Sequence, residues 1–142
     1  MGEMDSTGVP VEPDAALAGV VRGNDWRTLD LPELGRWRPT LRVTVVLPCY
    51  QGQEALDLTF AGLAAQTYPL DLLEVVVADD GSSPPITVPP GAPFEARAVA
   101  QVHDGFGLAR ARNLGAAAAS GDIVVFLDCD MVPEPGLVEA HA

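Results

Sequence analysis

The sequence predicts an α/β domain built on a parallel sheet with flanking helices. Three observations carry that expectation. Apolar runs of strand length alternate with stretches of helical spacing in the order β-α-β-loop-β-α-β, the pattern of parallel strands joined by right-handed crossovers. The run from Ile123 to Leu127 is apolar throughout and rich in β-branched residues, which reads as a strand buried on both faces. Three expected strands end in distinctive groups, Pro48 to Tyr50, Asp79-Asp80 and Asp128 to Asp130. In a parallel sheet those ends share one rim, the place where open α/β sheets bind ligands.

Residues 1–40 are poorly patterned, punctuated by Pro10, Pro13, Pro32 and Pro39, and are expected to form a partly flexible N-terminal extension with one docked segment near Asp25 to Trp37, a disordered tail being the alternative. The domain itself is expected over 41–142. Arg42 to Leu47 is the first strand, stopped by Pro48, and Pro48 to Gly52 is a loop. From Gln53 to Gln66 the spacing of Leu56, Phe60 and Leu63 marks one apolar helix face, and Pro69 closes the unit. Leu73 to Ala78 is the second strand, ending in Asp79-Asp80-Gly81-Ser82-Ser83. Pro84 to Pro93 is a Pro- and Gly-rich surface loop. Phe94 to Val102 alternates, with Phe94, Ala96, Ala98, Ala100 and Val102 on the covered side of a strand near the sheet edge. Leu108 to Ser120 is an alanine-rich helix whose Ala111, Gly115 and Ala118 let it lie close to the sheet, with Gly121 at its C-terminal end. The Ile123–Leu127 strand follows, and a last helix begins near Pro133.

Composition narrows the function. The chain has 142 residues, a net charge of −12 and 48% hydrophobic residues, so one folded domain is the expectation rather than a disordered acidic tail. All eight cations are arginine. Nucleic acid is therefore not an expected partner, because phosphate neutralisation needs clustered Lys and Arg. An anionic substrate would be repelled unless a bound cation reversed the local field. Cys49 and Cys129 form neither a zinc spacing nor a disulfide framework. No apolar run reaches membrane-spanning length, and the acidic N-terminus carries no signal-peptide pattern, so the expected compartment is the cytoplasm.

Asp128 and Asp130, one residue apart at a strand end, offer hard oxygen ligands to a divalent cation; solvated acids closing a strand are the plainer alternative. Of the adjacent Asp79 and Asp80, one can face the rim and accept an imide N–H from a pyrimidine base while the other caps the Gly81 turn. A plain Asp-Asp-Gly-Ser turn accounts for the same residues. Tyr50 is placed either to stack on a base or to be an ordinary half-buried aromatic. Arg110 and Arg112, near the start of the second helix, are either surface residues or within reach of a diphosphate.

Five segments in this order resemble the N-terminal half of a family 2 glycosyltransferase of GT-A fold. They are Val43-Thr-Val-Val-Leu-Pro-Cys-Tyr-Gln51, Gln66-Thr-Tyr-Pro69, Glu74-Val-Val-Val-Ala-Asp-Asp-Gly-Ser82, Gly107-Leu-Ala-Arg-Ala-Arg-Asn-Leu-Gly115 and Gly121-Asp-Ile-Val-Val-Phe-Leu-Asp-Cys-Asp130. The resemblance implies an inverting transfer of a sugar from a nucleotide-diphosphate donor, a UDP-sugar for preference, to an acceptor hydroxyl. It implies that Pro48 and Tyr50 line the base pocket and that Asp80, with Asp79 beside it, holds the base. Asp128 would lie towards the ribose and the metal, Asp130 would bind Mn²⁺ or Mg²⁺, and Arg112 would belong to the donor site. Gln51 stands where the family usually has Asn, a departure that bears on that turn's side-chain hydrogen bond. Cys49 and Cys129 would lie near each other at the rim as free thiols. The acceptor half and its general base are expected beyond the Asp-x-Asp strand. Twelve residues follow Asp130, so the domain is expected to be truncated, with no catalytic residue of its own. Neither His103 on its loop nor His141 is placed as the base. The isolated chain is expected to be inactive and to self-associate through an uncovered sheet edge.

Three rivals are weighed. A dinucleotide-binding domain would use Gly105-Phe-Gly-Leu-Ala-Arg110 and an acid about 20 residues on, but Arg110 stands at the third glycine's place and Asp104 would face the pyrophosphate. A phospho-acceptor receiver needs a lysine, and the chain has none. A calcium loop starting at Asp128 fails at Val132 and Pro133.

Overall fold

The computed structural model describes residues 38–142; the segment expected to dock near residues 25–37 lies outside them. Four strands form one sheet: β1 (Val43–Cys49), β2 (Leu73–Asp79), β3 (Glu95–Ala100) and β4 (Ile123–Phe126). Their spatial order is β3-β2-β1-β4 and every pairing is parallel. The helices are α1 (Gln53–Ala64), α2 (Leu108–Ala118) and the short α3 (Leu137–His141), with a 3₁₀ turn at Leu70–Leu72. The α/β class and the parallel sheet are those the sequence predicts.

The two central strands are buried at every position. Val43, Val45, Val46, Leu47, Val75, Val76 and Val77 lose all contact with solvent, each burial worth roughly 1.5–3 kcal/mol. The apolar face of α1 contributes Leu56, Phe60 and Leu63 to the core, and Phe60 meets Phe94 with ring centroids 5.6 Å apart. Tyr68 is buried with its hydroxyl donating to Leu41 O at 2.6 Å. Helix α2 lies tight against the sheet because Gly115 has no side chain: a methyl there would overlap Val46 Cγ1 and touch Ala78 Cβ at 3.4 Å.

Register sets the rim. Val43 pairs with Leu73 and Cys49 with Asp79, so β1 and β2 end level. Val43 also pairs with Ile123 and Val46 with Phe126, and Leu127 N–H still donates to Val46 O at 3.1 Å.

At the opposite, amino end of the sheet lies Glu74, a fully buried carboxylate. It accepts from its register partner Thr44, from Ser120 N and Oγ at 2.9 Å each, and from Arg97 at 2.6 Å. Burial pushes its carboxyl up, but the hydrogen bonds from Thr44, Ser120 and Arg97 prevail and bring it to about 2.

Three local expectations are corrected. Strand β4 is not buried on both faces; it is an edge strand with Val125 buried and Val124 and Phe126 exposed, since no described element packs beyond it. Along β3 the side expected to be covered is covered only at its start, where Phe94 is buried; Ala98 and Ala100 are exposed, and the part-covered Arg97 on the other side reaches the end of α2 through Ala118 O. Gly121 does not cap α2 in a left-handed turn. It is needed because Gly121 N donates to Thr44 Oγ1 at 2.9 Å, and a methyl there would stand 2.8 Å from Arg42 O.

Candidate active site

The rim is stitched together by its own backbone. Asp80 N–H donates to Cys49 O at 2.8 Å and Gln101 N–H to Asp79 O at 3.0 Å, so the ends of β1, β2 and β3 are tied in sequence. Asp79 is buried and spends both oxygens on amides, Ser82 N–H at 2.9 Å and Ile86 N–H at 3.1 Å. It shapes the loop after β2 and does not line the neighbouring cavity. On the β1 side Gln51 adopts φ +54° and donates its backbone N–H to Ser82 Oγ at 2.8 Å. With its side-chain amide turned over, Gln51 would also meet the Ser83 peptide at 3.0 and 3.1 Å.

Next to Asp79 the chain turns Asp80 the other way, into a cavity of about 240 Å³ lined by Pro48, Cys49, Tyr50, Asp80, His103 and Phe106, with the first turns of α2 as its floor. Asp80 is only 6% exposed. Its Oδ1 accepts from Gln101 Nε2 and its Oδ2 lies 3.0 Å from His103 Nδ1. The Gln101 hydrogen bond, joined by that of His103, holds the carboxyl below the usual range against the burial that pushes it up. Gly107 presses on the same carboxylate: any side chain there would overlap both oxygens. Tyr50 is half exposed and stacks on His103, centroids 4.2 Å apart and planes 9° from parallel. The lining is largely apolar around one ionised acceptor, a setting for a flat heteroaromatic ring that offers an N–H.

The third strand end adds the acids. Asp128 and Asp130 are exposed, and Asp128 Oδ1 accepts from Arg112 Nη2 at 2.8 Å. Their loop is anchored from α1, where Thr59 Oγ1 donates to Cys129 O at 2.8 Å. Further along, Gln66 bridges Glu134 O at 2.7 Å and Val138 N–H at 2.9 Å, which gives the Gln-Thr-Tyr-Pro segment its task. Among the described residues no cluster of three or more His, Cys, Asp or Glu groups is assembled that could hold a metal alone. Two solvent-facing carboxylates one residue apart do fit a cation that takes oxygen ligands and completes its shell with phosphate oxygens and water. Cys49 and Cys129 are free thiols that hydrogen-bond each other, a contact that raises Cys49 and lowers Cys129. Continuing the β1–β4 register by three residues from Val46 and Phe126 makes them opposite partners.

Of the residues singled out in the sequence, Pro48, Tyr50 and Asp80 meet around the cavity, Arg112 pairs with Asp128, and Asp130 stands free of the lining. Sequence reasoning missed Gln101, His103 and the role of Gly107. The first two follow the end of β3, a fourth strand end on the same rim, and the parallel topology alone pointed there. Gly107 belongs in the sequence both to the Gly107–Gly115 segment and to the rival dinucleotide fingerprint, and neither assigns it to the Asp80 carboxylate. Its contact with an ionised carboxylate makes its backbone a poor seat for a pyrophosphate.

The model of the family described as glycosyl transferase family 2 matches residues 44–142. A chondroitin synthase of Escherichia coli is 38% identical over 103 residues, covering 70% of this chain and 15% of that protein. A validoxylamine A glucosyltransferase of Streptomyces hygroscopicus subsp. jinggangensis (strain 5008) is 39% identical over 108 residues, covering 70% of this chain and 25% of that protein. The chain thus spans a quarter or less of the length of these relatives. Among solved structures, the mannosyltransferase PcManGT of Pyrobaculum calidifontis, in complex with GDP-Man and Mn²⁺, superposes with a TM-score of 0.60 at 27% identity, over 86% of this chain and 37% of that one. S. aureus TarS 1-349 in complex with UDP-GlcNAc superposes with a TM-score of 0.59 at 22% identity, over 70% of this chain and 29% of that one, a likeness of fold.

Proposed function

The chain belongs to glycosyl transferase family 2, and from that membership we propose that residues 41–142 form the donor-binding half of a glycosyltransferase, with 1–40 as an extension. The reaction is transfer of a sugar from a nucleotide diphosphate to an acceptor hydroxyl with inversion. One observation carries the reading: a cavity holding a buried, ionised Asp80 opens on the same rim as the Asp128–Arg112 pair and Asp130. A base seated against Pro48 and Tyr50 would give its N–H to Asp80, while Asp79 holds the loop that presents it. Arg112 would turn from Asp128 towards the diphosphate, and Asp128 would lie near the ribose.

Asp128 and Asp130 would hold Mn²⁺ or Mg²⁺, and the complex of PcManGT with GDP-Man and Mn²⁺ supports that choice. When bound, such a cation supplies charge stabilisation to the departing diphosphate. The chain's own part is to bind the base, hold the acids level with the cavity and keep the guanidinium beside them. We assign no general base among the described residues. The donor we favour is a UDP-sugar; the structure of TarS with UDP-GlcNAc supports the donor class by likeness of fold. We assign the cytoplasm as compartment, which two free thiols in contact support. Among the described residues no helix is long and apolar enough to cross a membrane.

Calorimetry with UDP, GDP and dTDP, each with and without Mn²⁺, tests this on the wild type and on Asp130→Ala. We expect binding that needs the cation and is weakened at least about tenfold in the variant, the loss of one charged ligand. Equal affinity in chelator would remove the metal's part, and no binding of any diphosphate would remove the donor site.

A further inference from the structure

We infer that His103 is a positioning residue that locks Asp80 as a hydrogen-bond acceptor and thereby selects a uracil-type base, with an N–H between two carbonyls, over cytosine. The inference rests on the donor-site reading and names the base preference of that site.

His103 Nδ1 lies 3.0 Å from Asp80 Oδ2 and 3.1 Å from Asp80 O. Both neighbours are acceptors, so Nδ1 carries a hydrogen whether the ring is neutral or charged. Gln101 Nε2 donates to the other oxygen. The carboxylate is therefore gripped by one donor on each oxygen, with Gly107 closing a third side. What it presents to the cavity is lone pairs and no proton.

The grip is rigid. Gly81 has φ +75°, and a methyl on it would stand 2.6 Å from His103 N and 2.9 Å from Gln101 O. The backbone of residues 101–103 thus lies against the Asp80-Gly81 turn, delivering both donors from one short segment. The imidazole is also stacked flat on Tyr50, so it cannot swing from Asp80 without giving up that contact. Both rings line the cavity.

Base choice follows from donor and acceptor matching. The N3 position of uracil carries a hydrogen, which a locked carboxylate accepts. The N3 of neutral cytosine is a bare acceptor, and facing a carboxylate it leaves two lone pairs opposed with no proton between them. A site built around one polar match rejects a ring that lacks it far more strongly than a difference in size would.

The test is calorimetry of UDP and CDP, each with Mn²⁺, on the wild type, His103→Phe and His103→Asn, with thermal melts to show that each variant is folded. Phenylalanine keeps a ring against Tyr50 but has no donor; asparagine has a donor amide but no ring. The wild type should prefer UDP by about tenfold or more. His103→Phe should lose UDP affinity and bring the UDP/CDP ratio towards one, and His103→Asn should keep most of the ratio. A ratio unchanged in folded His103→Phe would overturn the inference, as would a wild type that binds the two diphosphates equally. A wild type that binds neither would bring down the donor-site reading beneath it.

Discussion

Glu74 is the residue on which the acid stability of this chain turns. Its side chain has no exposure and takes hydrogen bonds from Thr44, Ser120 and Arg97. Its folded pKa is brought to about 2 from an ordinary value of 4.5. A depressed carboxylate contributes stability that is complete above its unfolded value and is lost as pH falls through the folded one. The window is therefore about pH 5 to 2, and the shift corresponds to roughly 3 kcal/mol. Asp80, also held low, acts in the same sense. Glu74→Gln keeps the shape and discards the charge. It should melt lower than the wild type at pH 7, by about 2–3 kcal/mol, and lose less on acidification. Circular dichroism melts at pH 7, 4 and 2.5 check both, and parallel pH profiles for the two proteins would remove Glu74 from this role.

At the scale of elements, the contact of α2 with the sheet depends on a small residue. The face of α2 that meets β1 and β2 is Ala111 and Gly115, and a methyl at Gly115 would overlap Val46 Cγ1. Gly115→Ala should therefore cost about 1–3 kcal/mol by overpacking despite the better helix propensity of alanine. Chemical denaturation measures it; an unchanged midpoint would mean that α2 slides freely on the sheet. That shallow face was legible in the sequence, as were β1, α1, β2 and the shared rim, because 3.6-residue spacing and unbroken valine runs report burial directly. The β4 run reads as buried on both faces because an apolar run records what a strand is suited to touch; its open edge is the uncovered one expected of the sheet. β3 was assigned its covered side by alanine alternation, and alanine is small enough to sit on either face. Asp80 was legible as a strand-end acid, whereas His103 was not, because the carboxylate it meets lies 23 positions earlier in the chain, a separation that no local pattern encodes.

The whole molecule sets an apolar edge against a strong like charge. Val124, Phe126, Met131 and Val132 are exposed at and beyond β4, 38–62% each, on a chain of net charge −12. An open strand edge with apolar side chains favours pairing with a second copy, while self-repulsion opposes it and fades as salt shortens the Debye length from about 10 Å at 0.1 M to about 3 Å at 1 M. Association should therefore rise with ionic strength. Sedimentation velocity at 0.05 and 0.5 M NaCl measures it, and a monomer at both would show the edge to be inert.

Gly107 reserves a place by leaving it empty. One carbon added there would overlap the oxygens of Asp80, so the pocket can be silenced by crowding with no charge altered. Gly107→Ala is accordingly the blank for any nucleotide titration of this chain: it should bind no diphosphate yet keep the native electrophoretic mobility, and undiminished UDP affinity in it would show that the acid is not where the base is held.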